Sequence, residues 1–476
     1  MTRITPASAL RRRALAAATV ATVLLGYLLL RRVDAFAALG HGGRPPFVIL
    51  YTLTCAWVLW QTLLAYTERP HRAAPNQQHI LDTAHLAILV PLYNEDPALL
   101  HRSLQSLLEQ TRLPDTVSVT DDGSGSDYTA QRDWFTKAGT EAGIRVVWQR
   151  TANRGKRHAQ ITAADAAPEA QYFVTIDSDV ELDPLALHEI LQPFSNPDVQ
   201  SVAAVVLSAN ARTNWLTRLF DLHAVSWQLN ERSAQSVLGS VTVNTGACAA
   251  YRAAVIRDHT RAYLEETFLG RPVAFSDDSM LTLLAKLRGR TVQQPTAFAR
   301  ATMPENLSHH LRQQARWMRG SAIRSFWRVR YLPTTSYAFF GQVSNWFMTL
   351  ATTATFTWII ILQPLSATAP FWALLIAPIL FGYLHTLPYL TIRPEDEPLR
   401  TRLLVYACTP LATLWSHTVL RTIRWYGLAT CARTGWGTRE KIEVYADSSS
   451  SLTREPATAG ATAPGLPSPK ILEKRS

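Results

Sequence analysis

Residues 46–66 (PFVILYTLTCAWVLWQTLLAY) run for 21 positions without a charged side chain, and residues 14–30 (ALAAATVATVLLGYLLL) are equally free of charge. Both runs fall in the range of roughly 17–25 apolar residues that lets a helix cross a bilayer. Three more apolar stretches follow at 338–362, 369–392 and 402–430, whereas residues 85–310 alternate short apolar runs with amphipathic patterns. This arrangement predicts a globular domain inserted between membrane segments. Arg11–Arg13 favour a cytoplasmic N-terminus, although Arg31 and Arg32 beyond the first run weaken the bias. Arginines, an apolar run and Ala35-Phe36-Ala37 also imitate a cleavable signal, but a second run follows almost at once, which fits an uncleaved anchor better. Two crossings return the soluble domain to the cytoplasm, so the expectation is a multi-pass protein of the cell membrane.

The net charge of +11 raises nucleic acid as a partner. The densest basic region, Arg300 to Arg330, is interleaved with Trp317, Phe326 and Trp327 and runs into an apolar stretch. An interfacial helix beside anionic lipid, or a site for a phosphate-bearing ligand, explains it better, and no nucleic-acid partner is expected. Cys55, Cys248, Cys408 and Cys431 show no metal-ligand spacing and no disulfide framework. Residues 447–476, rich in Ser, Thr, Ala and Pro, read as a disordered tail.

Within the soluble region, LAILVPLYNED (86–96) is an apolar run ending in Pro, Asn and acids, as in a parallel strand whose carboxyl end opens into a site. Leu99, Leu100, Leu104, Leu107 and Leu108 then share a helix face, TVSVTDDGSGSD (116–127) is a second strand, and IRVVWQ (144–149) a third. Strands alternating with helices argue a doubly wound, Rossmann-like α/β sheet, with ligands beyond the carboxyl ends of the strands. The acids at 95–96, 121–122 and 177–179 all fall there. Each group alone reads equally well as a turn. Together they would concentrate negative charge, which a divalent metal chelated by a nucleotide diphosphate would neutralise.

Mg2+ or Mn2+ takes oxygen ligands and keeps substrate phosphates, so one or two protein carboxylates suffice. In YFVTIDSDVELDP (172–184) the strand period puts Asp177 and Asp179 on one side and Ser178 on the other. Asp179 is the candidate metal ligand, with Asp177 nearer the sugar or ribose. Glu181 and Asp183 read as solvated acids that start the next helix. NRGKRHAQ (153–160) sets Arg154, Lys156, Arg157 and His158 around a glycine at a helix start, which suits an anion. No P-loop signature is present, and His158 has no second His or Cys at ligand spacing.

The ordered set VPLYNED, TDDGS, NRGKRHAQ, TIDSD, NTGACAAYR, TFLGRPVAFSDDSMLT, QQARW and GWGTR, over about residues 80–445, resembles the processive family-2 glycosyltransferases of GT-A fold, and most closely bacterial hyaluronan synthases. Chitin, chito-oligosaccharide and cellulose synthases share several of these motifs. The resemblance implies that Tyr93, Glu95 and Asp122 line a uridine pocket, that Lys156 lies near the diphosphate, and that Asp177 and Asp179 are the DxD pair. In FSDDS it makes Asp278 the general base, with Asp277 beside it in the substrate site. Gln313, Arg316 and Trp317 form the QxxRW motif, with Trp317 under the acceptor sugar, and Trp436, Thr438 and Arg439 belong to a loop that closes over the nucleotide. Arg316 and Arg439 would neutralise pyrophosphate.

The implied domains are a two-span membrane region (1–79), a cytoplasmic GT-A catalytic domain (80–304), interfacial helices carrying QxxRW (305–336), a transmembrane or re-entrant region (337–432), the nucleotide-gating loop (433–446) and the tail. A single crossing by 402–430 would strand the GWGTR loop outside, so this segment is expected to be broken or re-entrant and to line a pore. The implied partners are UDP-sugars, the growing polysaccharide and the bilayer. The implied product is a polymer of GlcNAc and GlcA moved across the membrane, the alternative being a chitin or chito-oligosaccharide synthase using UDP-GlcNAc only. Two departures bear on this. Ser276 stands where the family usually has glycine. Thr245-Gly246-Ala247-Cys248 stands where hyaluronan synthases tend to read Ser-Gly-Pro-Leu, which leaves sugar choice open and Cys248 as either a site residue or a packed apolar group.

Overall fold

A computed structural model describes residues 4–6, 17, 20, 24, 45–357, 378–394 and 397–435. Helix α1 (Pro45–Tyr66) leads to the α/β domain, where β1 (Leu86–Leu92), α2 (Pro97–Leu108), β2 (Thr116–Asp121), α3 (Thr129–Glu141), β3 (Arg145–Arg150), α4 (Lys156–Asp165) and β4 (Tyr172–Ile176) alternate. Then come β5 (Glu181–Leu182), β6 (Val199–Ser208), α5 (Trp215–Trp227), β7 (Cys248–Arg252), α6 (Asp277–Arg288) and β8 (Arg290–Ala301). They build one eight-stranded sheet in the order β3-β2-β1-β4-β7-β6-β8-β5. The first four strands are parallel, as the alternation of strand and helix predicts. The far half is mixed, because β7 runs antiparallel to both β4 and β6. A doubly wound parallel sheet therefore describes only half of the domain.

The parallel strands are buried on both faces, and their side chains alternate between two cores. Leu86, Ile88, Val90 and Leu92 of β1 pack with Leu100, Leu104 and Leu107 of α2. Ala87 and Leu89 face the opposite cluster with Ile161 and Ala164 of α4 and Leu281 and Leu284 of α6. Each such fully buried Leu or Ile stabilises the fold by about 1.5–3 kcal/mol before entropy is charged. Cys248 is a packed apolar group here, fully buried at the start of β7.

Two expectations fail beyond β4. The strand ends at Ile176, so Asp177-Ser178-Asp179 is a turn rather than strand, closed by Val180 N–H donating to Asp177 O at 3.2 Å. Glu181 and Asp183 do not start a helix as solvated acids. Glu181 pairs with Arg102 at 3.2 Å and lies in β5, and the carboxylate of buried Asp183 accepts from Leu185 N at 3.2 Å.

After the sheet come α7 (Leu307–Tyr331), α8 (Tyr337–Thr357), α9 (Leu399–Ala407) and α10 (Thr409–Ala429), the last with a π-helical turn at Ser416–Leu420. Among the described residues no single helix is both long and apolar enough to cross a membrane, while the bent pair α9–α10, with 45° between its halves, passes the test together. Most of the 14–30 run, all of 358–377, Trp436, Thr438, Arg439 and the 447–476 tail lie outside the described residues. The α9–α10 pair is tied near its start to the α/β domain and near its end to α7. Glu397, just before α9, meets Arg218 of α5 at 2.6 Å, and Thr430 after α10 accepts from Arg319 of α7 at 3.0 Å. A short strand at Ile4–Pro6 pairs antiparallel with Ile392–Pro394.

Candidate active site

The carboxyl ends of β1, β2 and β4 meet the N-termini of α4 and α6, the crevice in which such sheets hold ligands. At the end of β1, half-buried Tyr93 is followed by Asn94 in a left-handed conformation (φ +44°). Asp96 caps α2 by accepting from Ala98 N at 2.8 Å and Leu99 N at 3.1 Å. Glu95 is turned inward, 3 % exposed, and accepts from Ser178 Oγ at 3.1 Å, while its backbone N–H donates to Tyr128 Oη at 2.6 Å. Glu95 thereby props the Asp177–Asp179 turn from below. Ser178 points away from the crevice, whereas Asp177 and Asp179 keep partial exposure.

Asp122 spends both carboxylate oxygens on one loop, accepting from Arg154 N at 2.8 Å and Gly155 N at 2.7 Å. That fixes the start of α4 and hence Lys156, whose Nζ lies 2.7 Å from Asp177 Oδ1 and 3.0 Å from Asp277 Oδ2. Burial alone would lower the Lys156 pKa, but the two carboxylates override it and hold the ammonium charged well above the usual lysine range. Burial would likewise raise Asp277, which Lys156 instead holds below the usual carboxylate value. Asp278 goes the other way. Burial, reinforced by the neighbouring Asp277 charge, pushes its carboxyl up to about 6. Gly246 closes this cluster, because a Cβ there would stand 3.4 Å from Lys156 Nζ, 3.6 Å from Asp177 Oδ2 and 3.8 Å from Asp278 Cβ.

Helix α7 seals the other side. Ser276, directly before Asp277 and Asp278, adopts φ +58° and ψ +43°, the left-handed region that glycine enters freely, which accounts for the expectation of glycine there. Gly320 of α7 rests on it. Arg316 and Trp317, four and three residues earlier, share that helix face, so the QxxRW segment stands about one turn from the Asp277–Asp278 loop. Trp317 is 43 % exposed with its ring 6.2 Å from Phe220, and Gln313 Oε1 is buried with no hydrogen-bond partner. Among the described residues no three His, Cys, Asp or Glu side chains converge as a complete metal cage. A half-exposed Asp179 beside Asp177 is an all-oxygen donor set that suits a hard divalent ion sharing its sphere with phosphate.

Lys156, Asp177, Asp277 and Asp278 are thus brought together, with Asp122 and Glu95 as their supports. The sequence placed Ser178 on the side away from the two acids and Gly246 in a loop that departs from the family, without giving either a contact; Gly320 escaped sequence reasoning, since nothing local signals it.

Residues 87–260 match the family model Glycosyl transferase family 2. A hyaluronan synthase of Streptococcus pyogenes is 28% identical over 89% of this chain and 98% of its own length, and that of serotype M3 is 30% identical over 80% and 88%. An N-acetylglucosaminyltransferase of Azorhizobium caulinodans is 34% identical over 50% of this chain and 60% of its own. Among solved structures, a mannosyltransferase from Pyrobaculum calidifontis in complex with GDP-Man and Mn2+ superposes with a TM-score of 0.50 at 19% identity, covering 78% of this chain and 97% of that one, a likeness of fold.

Proposed function

We propose that this chain, which belongs to the family-2 glycosyltransferases, is a membrane-embedded, processive, inverting enzyme that polymerises UDP-GlcNAc and UDP-GlcA into a hyaluronan-like polysaccharide and moves it across the bilayer. The observation that carries this reading is the convergence of Lys156, Asp177, Asp277 and Asp278 around Gly246, with the QxxRW helix against the same loop. Asp278 takes the proton of the acceptor hydroxyl as that oxygen attacks the anomeric carbon. The bond to UDP breaks on the opposite face, and the sugar inverts. Lys156 and Arg316 supply positive charge for the departing diphosphate, and Trp317 offers the acceptor pyranose an apolar ring face. Asp179 would hold Mg2+ or Mn2+, whose charge offsets that of the leaving diphosphate.

The strand Ile4–Pro6 beside Ile392–Pro394, and Glu397 on Arg218, support placing the N-terminus and the 393–402 loop on the catalytic, cytoplasmic side. Ties from the start of the bent α9–α10 pair to α5 and from its end to α7, the helix that lies against the Asp277–Asp278 loop, support a re-entrant segment at the pore mouth. The similarity to an N-acetylglucosaminyltransferase supports a second reading, a chitin or chito-oligosaccharide synthase using UDP-GlcNAc only. Purified enzyme given UDP-GlcNAc alone, then UDP-GlcA as well, separates them. The first reading expects polymer only with both donors, digestible by hyaluronidase. An insoluble product from UDP-GlcNAc alone would replace it with the second.

A further inference from the structure

The Lys156 helix, the Asp277–Asp278 loop and the QxxRW helix come from distant parts of the chain, yet one side chain touches the supports of all three. Glu266 Oε2 accepts from Arg157 Nη2 at 2.7 Å, Oε1 from Arg324 Nη1 at 2.8 Å, and Oε1 again from Trp327 Nε1 at 2.8 Å. The three charged side chains are 3 %, 5 % and 0 % exposed for Glu266, Arg157 and Arg324. Arg157 is the neighbour of Lys156 on α4, and it also donates to Tyr263 O at 2.8 Å and Phe275 O at 2.9 Å. Arg324 lies one turn beyond Gly320 on α7 and donates to Ser279 Oγ at 3.2 Å and Ser276 O at 3.4 Å. The two guanidiniums therefore grip the chain just before and just after Asp277 and Asp278, and Glu266 is what they share.

We infer that Glu266 is a positioning residue for glycosyl transfer: its buried carboxylate locks Arg157 and Arg324 together and so sets the distance between Lys156 and the Asp277–Asp278 loop. It touches neither donor nor acceptor and acts through the two arginines. Burial would raise its pKa, but Arg324 and Arg157 hold it below the usual carboxylate value, so the anion persists through the working pH range. A charged knot of this kind is a poor source of stability and a good source of geometry, because moving either arginine leaves a buried charge uncompensated.

The inference rests on Asp278 as the base, so the full-length enzyme in lipid nanodiscs is assayed with both UDP-sugars alongside Asp278→Asn. Glu266→Gln keeps the shape and removes the charge. Its kcat is expected to fall at least about tenfold with donor KM values within about threefold, as for a misplaced catalytic group rather than a lost binding contact. Glu266→Asp, shorter but still charged, is expected to retain more activity than Glu266→Gln. Trp327→Phe, which removes one donor and keeps the ring, covers the case in which the charge change prevents folding, and its kcat is expected to drop about two- to fivefold at an unchanged melting temperature. Parent-like kcat in Glu266→Gln, or in Trp327→Phe should the former not fold, would overturn the inference. So would Glu266→Asp being the worse of the two. If Asp278→Asn itself still makes polymer, the base assignment falls, a result separable from the behaviour of the Glu266 variants.

Discussion

Gly320 lies flat on Ser276: a Cβ on Gly320 would stand 1.8 Å from Ser276 Oγ and 2.8 Å from Ser276 Cβ. The QxxRW helix and the residue that launches the two aspartates are thus in contact with only the serine side chain between them. Gly320→Ala must push the loop aside, an overpacking that typically costs about 1–3 kcal/mol. Polymer synthesis, followed by UDP release, should fall far more than UDP affinity. Ser276→Gly in the same background should restore part of it, since it removes the clashing atoms and relieves a left-handed serine worth about 1–2 kcal/mol.

Lys156→Met leaves Asp177 and Asp277 facing each other without their shared ammonium. A loss in kcat/KM of about a hundredfold, near 2.7 kcal/mol, is expected from steady-state kinetics. Lys156→Arg should recover only part of it, because a planar fork does not replace a compact charge set between two carboxylates.

The pH dependence follows from Asp278. As the proposed base it must be ionised, and its carboxyl stands near 6 instead of the ordinary carboxylate range. In the kcat/KM profile, which reports the free enzyme, activity should therefore fall away as pH drops through about 6, to about a tenth of its plateau at pH 5. Lys156 lowers the Asp278 pKa, so in Lys156→Met this limb should move to higher pH. A limb that stays near 4 in the parent enzyme would remove Asp278 as the titrating group.

Asp122→Ala strips the acceptor from two main-chain N–H groups at the start of α4. Each hydrogen bond to a charged acceptor is worth about 1.5–3 kcal/mol, so the loop should loosen and the donor KM rise more than kcat falls. Titration calorimetry with UDP measures the binding part directly.

The half of the site built on β1, β2 and α4 was legible because apolar runs there end in Asn, Asp and Gly, and because NRGK follows a strand. What stayed hidden depends on pairings across the fold. Nothing near Cys248 announces that its strand runs antiparallel, and that reversal is what delivers Gly246 to the crevice. Glu266 sits in a stretch with no motif of its own and meets Arg157 across a separation of 109 residues. The acids at 181 and 183 were misjudged for the same reason, since the Glu181 carboxylate finds Arg102 in α2 and the main chain at Asp183 is tied to Phe298 in β8. Ser276, by contrast, stood out as a departure in the sequence, and its backbone angles supply the physical cause.

The strand at Ile4–Pro6 has its partner at Ile392–Pro394, so this clasp forms only after most of the chain has left the ribosome. The catalytic sheet, complete at Ala301, can condense well before then. Assembly therefore has a natural order in which the transferase forms first and the surrounding helices are laced shut afterwards.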